Sequence, residues 1–205
     1  MEKFAALSAI ACPYPVANVD TDQLLPARFL KMPRAAGLGK VLLHDLRNDA
    51  DGNACGDFPL NQPDWREAKI IVGGGNFGGG SSREAAVYAL YDYGIRCVIA
   101  PSFGDIFAQN SVKNGLLPAV ADAKDVAELA ALLQRHRDMA VSVDLETQTI
   151  RCGNFVFPFS IEVSWRAQLL NGWDDVDLTK SFQGEIDRFR SSRRQAEPWA
   201  FLAGK

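Results

Sequence analysis

The chain has 205 residues, 47% of them apolar and 23% charged, with a formal net charge of −3. Such a chain carries one or two domains with a sizeable core and has the composition of an ordinary globular protein. The charge supplies no chain-wide positive field, so neither nucleic acid nor a membrane is expected as a partner, and any anion site must be local. No apolar run nears the roughly 20 residues of a membrane helix, and Met1–Ala11 lacks a basic stretch ahead of an apolar core. A cytoplasmic address is therefore expected.

Residues 1–30 read as a strand followed by a loop, with the turn residues Asp20, Thr21 and Asp22 ahead of an apolar patch stopped by Pro26. Residues 31–68 are rich in Gly, Pro, Asn and Asp and read as long loops around a short helix near Val41–Leu46. Lys69–Val72 reads as a strand. A helix is expected from Ser81, as its N-cap, to about Tyr93, where Gly94 stops it. "RCVIAP" is a buried strand ended by Pro101, and Ser102 is expected to cap a second helix running to about Lys113. "LLPAV" is a third strand, and Val126, Leu129, Ala130 and Leu133 share one helical face. "MAVSVDLETQTIRCGNFVFPF" then alternates with a period of two and reads as antiparallel strands. The tail reads as helices over about 161–195: Ile161–Asn171, a break at Gly172, then Thr179–Arg194 with a solvated basic face. The order predicts an α/β fold in one domain over 1–205, a parallel sheet with helices plus an antiparallel portion.

Cys12, Cys55, Cys97 and Cys152 stand at wide, irregular spacings without a CxxC pair, so reduced thiols and no local metal ligand set are expected. His44 and His136 are isolated and receive no role. The distinctive stretch is "GGGNFGGGSSRE", with six glycines in the eight residues 73–80. It lies between a strand and a helix, where unpaired amides and the helix dipole favour an anion. Four readings compete. One is a flexible loop with a capping serine. Another is dinucleotide binding through Gly73, Gly75 and Gly78, for which no acidic residue ends the next strand, since Asp105 falls inside the following helix. A P-loop fails because no lysine precedes the serine. The fourth, a carboxylate site with a serine poised for proton transfer, suits Ser81, Ser82 and Arg83 best.

"NFGGGSSRE", with "NVDTDQLLPARFL", "DYGIRCVIAPSFGDIFAQNSVKNGLLPA" and "LLNGWDDVDLT", resembles in order and spacing the swivelling β/β/α domain of the aconitase superfamily, in the form of its 3-isopropylmalate dehydratase small subunits. The resemblance implies interconversion of 2-isopropylmalate and 3-isopropylmalate by loss and return of water in leucine biosynthesis. It implies activity only with a large subunit, in a heteromer, and a [4Fe–4S] cluster bound by that partner. Ser81 would be the base, as an alkoxide; Arg83 would hold a substrate carboxylate and Ser82 would donate to it. Gly78, Gly79 and Gly80 would shape the cradle, Asn76 would pin the loop, and Glu84 would be a first-turn acid. The loop 31–38 would read the substrate's side group through Met32 or Leu38, and residues 31–62 would be mobile without the partner. Ala85 stands where the family motif has His or Gln. That departure keeps open a sister hydro-lyase acting on methylmalate, dimethylmalate or homoaconitate, and a non-catalytic binding subunit of the same fold.

Overall fold

In the computed structural model, which describes residues 1–201, one seven-stranded mixed sheet organises the chain, in the order β4-β3-β2-β1-β5-β6-β7. β1 (Ala6–Tyr14) is its hinge. The first half pairs antiparallel with β5 (Ala140–Asp144) and the second half pairs parallel with β2 (Ile70–Gly73). β3 (Cys97–Ala100) and β4 (Leu117–Val120) extend the parallel part, while β6 (Thr149–Cys152) and β7 (Phe155–Pro158) extend the antiparallel part. The expected α/β class and both kinds of strand pairing are therefore present.

Every residue of β2 and β3 is buried, which explains their short unbroken apolar runs. Alternation along them feeds two cores. Ile70, Val72, Cys97 and Ile99 face one core with Val126, Leu129 and Leu133 of α5 (Ala123–Arg135). Ile71, Val98 and Ala100 face the other with Ala86, Val87 and Leu90 of α3 (Glu84–Tyr93). α4 (Asp105–Lys113) joins β3 to β4, and α6 (Val163–Asn171) follows β7.

Several boundaries differ from the sequence reading. A short helix α1 (Thr21–Leu24) stands where a loop was expected, and the short helix expected near Val41–Leu46 is α2 (His44–Arg47). α1 is fixed by a capping box: Asp20 Oδ1 accepts from Gln23 N–H at 2.7 Å, and Gln23 Oε1 accepts from Asp20 N–H at 3.0 Å. α3 starts at Glu84, so Ser81 lies three residues ahead of it and is not its N-cap. α4 is preceded by Gly104, so Ser102 does not cap it either. The tail forms α7 (Asp175–Ser181) and α8 (Gln183–Ala196), separated at Phe182 where one helix was expected. α8 buries none of its residues, in keeping with a solvated basic face.

Residues 31–68 are less loop-like than their composition suggests. Leu38, Leu42, Leu43, Leu60 and Trp65 are all buried in the core beside α3. Gly39 permits this contact: a Cβ there would stand 2.4 Å from the backbone nitrogen of Tyr93. Gly39→Ala should therefore force the segment off α3 and lower stability by about 1–3 kcal/mol, read as a lower urea midpoint.

Candidate active site

The glycine-rich loop runs from the end of β2 to the start of α3, and it is held from both sides by backbone. On one side lies the segment after β1. Gly74 N–H donates to Val16 C=O (3.2 Å), Asn18 N–H to Gly75 C=O (2.8 Å), Gly78 N–H to Val19 C=O (2.7 Å), and Thr21 N–H to Gly79 C=O (3.0 Å). On the other lies the segment after β3. Phe77 N–H donates to Ser102 C=O and Gly104 N–H to Phe77 C=O, each at 3.0 Å. Ser102 Oγ, freed from the capping role assigned to it, accepts from Asn76 N–H at 2.8 Å.

The close approach explains the glycines. At Gly78, with φ +72°, a Cβ would fall 2.1 Å from the Phe107 ring, and at Gly104 a Cβ would fall 2.7 Å from the Gly78 carbonyl oxygen. Phe77 is fully buried, with its ring centroid 5.7 Å from that of Phe107 and 6.3 Å from that of Phe103. Asn76 has φ +55°, and its Nδ2 donates to Asn18 Oδ1 at 3.0 Å.

This clamp brings Ser81 and Ser82 out to the surface. Both are exposed, and neither hydroxyl has a hydrogen-bond partner among the described residues. A cavity of about 180 Å³ opens there, lined by Gly78, Gly80, Ser81, Ser82, Asp105 and Phe107 among others. Arg83, Asn76 and Gly79 are absent from that lining. The amides of Gly80, Ser81 and Ser82 donate to no group among the described residues, so the unpaired donors belong to the loop itself and precede the helix.

Arg83 is 20% exposed and its Nη1 is engaged by Asp22 of α1. The sequence reading left the guanidinium unpaired; the structure gives it an acidic neighbour from the "NVDTDQ" stretch. Nη1 is its only donor with a partner among the described residues, so Nη2 and Nε remain for a ligand. Glu84 accepts from Asn114 Nδ2 at 2.9 Å, an ordinary first-turn acid with a structural bond. Ala85 is half-buried against the core beside α3.

Of the two side chains assigned to substrate selection, Leu38 is 3% exposed and packed in the core. It is therefore withdrawn from any surface contact, a correction to the sequence reading. Met32 is half-buried against the same core. Just before it, Arg28 ties to Asp45, which also bonds His44, and this holds the Asp45 carboxyl down at about 2.

No group of three or more His, Cys, Asp or Glu side chains among the described residues converges as a metal site. Burial pushes the Cys12 thiol up to about 12, and also raises Cys97 and Cys152. Cys12 lies in one core while Cys97 and Cys152 lie in the other. Among the described residues no helix is long and apolar enough to cross a membrane.

Comparison with known proteins gives this architecture its class. Residues 1–124 match the model of the Aconitase C-terminal domain, and the chain belongs to that family. Within it, the chain belongs with the 3-isopropylmalate dehydratase small subunits. It is 47% identical to the one from Rhodospirillum centenum over 202 residues, covering 98% of this chain and 99% of that protein. It is 46% identical to the one from Roseobacter denitrificans over 200 residues, covering 97% and 100%. Among solved structures it is similar to 3-isopropylmalate dehydratase from Methanocaldococcus jannaschii, with a TM-score of 0.63 and 26% identity, covering 89% of this chain and 98% of that one.

The left-handed backbone at Asn76 gives a test in which the usual order of substitutions reverses. Asn76→Ala should be less stable than Asn76→Gly by about 1 kcal/mol, because alanine is strained at φ +55° while glycine is not. Urea midpoints of the two variants check it.

Proposed function

We propose that this chain is the small subunit of a heteromeric hydro-lyase. It interconverts 2-isopropylmalate and 3-isopropylmalate in leucine biosynthesis by loss and return of water. The observation that supports this most is near-full-length identity to small subunits of that name, 46% over 200 residues in one case, in a chain whose Ser81 and Ser82 reach the surface on a braced loop. The iron–sulfur cluster implied by the family belongs to the large subunit on this reading. This chain's share of the chemistry is the proton and the substrate carboxylate.

Ser81 takes the proton from the carbon beside a carboxylate as a general base. A serine hydroxyl is a weak acid near neutral pH, so its anion needs stabilisation. The unpaired amides of the loop and Arg83 are the groups at hand. Ser82 donates a hydrogen bond to substrate, and Arg83, steadied by Asp22, holds a carboxylate with its remaining donors. Gly78, Gly79 and Gly80 shape the cradle, and Asn76 fixes its entry. Met32 remains the candidate for reading the substrate's side group, where a methylene is worth about 1–3 kcal/mol. The exposed stretches of 31–62 settle when the large subunit docks, around Leu38, Leu42, Leu43 and Leu60, which already pack in the core of the single 1–205 domain. The address is the cytoplasm.

Ala85 favours a second reading, a sister hydro-lyase acting on methylmalate, dimethylmalate or homoaconitate. A half-buried methyl beside the core offers no hydrogen bond where the motif's usual His or Gln would.

Mixed with a cognate cluster-bearing large subunit, the chain should generate 3-isopropylmalate-forming activity. Ser81→Ala should lower kcat at least a hundredfold, on the order of a lost general base, with complex formation intact by gel filtration. Wild-type turnover in that variant would exclude Ser81 as the base. Activity with a methyl- or dimethylmalate alone would favour the sister enzyme.

A further inference from the structure

We infer that Thr21 is a positioning residue for this site: it fixes the Gly79–Gly80 and Ser81–Ser82 peptide planes so that the Gly80 and Ser82 amides face the open side of the loop. The inference rests on the reading of Ser81 as the base.

Thr21 is the first residue of α1 and is 2% exposed, one of few buried polar side chains. It holds the loop at two points. Its N–H donates to the Gly79 carbonyl at 3.0 Å, and its Oγ1 donates to the Ser81 carbonyl at 2.7 Å. The two carbonyls lie on either side of the Gly80–Ser81 pair; Gly80 has φ +85°, and a Cβ on it would lie 3.9 Å from Thr21 Oγ1.

Peptide planarity carries the consequence. In a trans peptide the C=O and the following N–H point in opposite directions. Drawing the Gly79 carbonyl toward α1 turns the Gly80 N–H away from α1. Drawing the Ser81 carbonyl the same way turns the Ser82 N–H away. Both amides lack a partner among the described residues, and Gly80, Ser81 and Ser82 all line the cavity. Two such N–H groups, two residues apart on one face of the loop, form a concavity suited to an anion. Here they bracket Ser81, so they can stabilise its oxygen as the proton leaves, or a substrate carboxylate beside it.

The same side chain is poorly replaced by anything without a hydroxyl. Valine keeps the shape of threonine but leaves the Ser81 carbonyl unheld, and that peptide is then free to rotate. The charged groups close to this arrangement are Asp20 and Asp22 on the α1 side, Arg83 and Glu84 after the loop, and Asp105 at the start of α4. A threonine hydroxyl is neutral, so its loss changes geometry without changing that charge balance.

The test uses the assembled two-subunit enzyme carrying Thr21→Val, Thr21→Ser or Ser81→Ala. Thr21→Val should lower kcat about tenfold to a hundredfold, the range for displaced supporting groups, with KM changed less than threefold. Thr21→Ser, which retains the hydroxyl, should restore kcat to within about threefold of wild type. If Thr21→Val turns over at the wild-type rate while Ser81→Ala is inactive, the inference fails and the base assignment stands. If Ser81→Ala is fully active, the base assignment fails first. Should Thr21→Val not fold, Thr21→Ser decides: a kcat tenfold or more below wild type in a folded, complex-forming variant overturns the role of the hydroxyl.

Discussion

The site depends on backbone hydrogen bonds between three neighbouring loops at the carboxyl ends of the parallel strands. The loop after β2 lies between the loops after β1 and β3 and bonds to both. Open parallel sheets place their binding crevices at this end because helices and strands leave unpaired amides there. In this chain the crevice is closed by pairing loop with loop. Glycine is required at the crossings because a side chain would occupy the space that the neighbouring backbone or ring already fills. Rigidity at 76–80 follows, and exposure at 81 and 82 follows from that rigidity.

The two cores secure the loops from below. α3 carries small residues, Ala86 and Ala89, on its buried face, and the segment containing Leu38 and Gly39 lies against it. The mass of apolar side chains on that face includes Phe77 and Phe107, so the glycine loop is anchored in the same core that supports α3. Packing and site geometry are therefore coupled: changes at Phe107 or Gly39 act on the position of the serines without touching them.

Much of this was legible in the residues. The strands β2, β3 and β4 and the face of α5 follow from apolar runs and helical spacing, because those elements are buried in the way their patterns require. The antiparallel β5–β7 follow from alternation. The misreadings share a cause. Ser81 and Ser102 are good capping residues, yet both helices begin later: the Ser81 carbonyl accepts from Thr21 Oγ1, and Ser102 accepts from Asn76 N–H on its hydroxyl and from Phe77 N–H on its carbonyl. Leu38 is expected to reach substrate from the place of the loop 31–38 in the family resemblance, and no local pattern reveals its contact with α3 far along the chain. Thr21 and Asp22 were treated as turn residues; Asp20 and Gln23, spaced as a capping box, were the local signal of a helix there. The bonds of Thr21 to Ser81 and of Asp22 to Arg83 span about sixty positions, which no spacing rule discloses.

The central claim is that braced backbone presents Ser81, flanked by free amides and Arg83, to a substrate carboxylate. The most direct measurement is a crystal structure of the assembled enzyme with a non-reacting dicarboxylate analogue bound. The account predicts Ser81 Oγ within about 3.5 Å of the carbon that loses its proton. It also predicts the Ser82 amide and an Arg83 nitrogen on anionic oxygens, with the Thr21–Ser81 bond intact. An analogue bound elsewhere, with Ser81 turned from it and Arg83 engaged by Asp22 alone, would contradict the account.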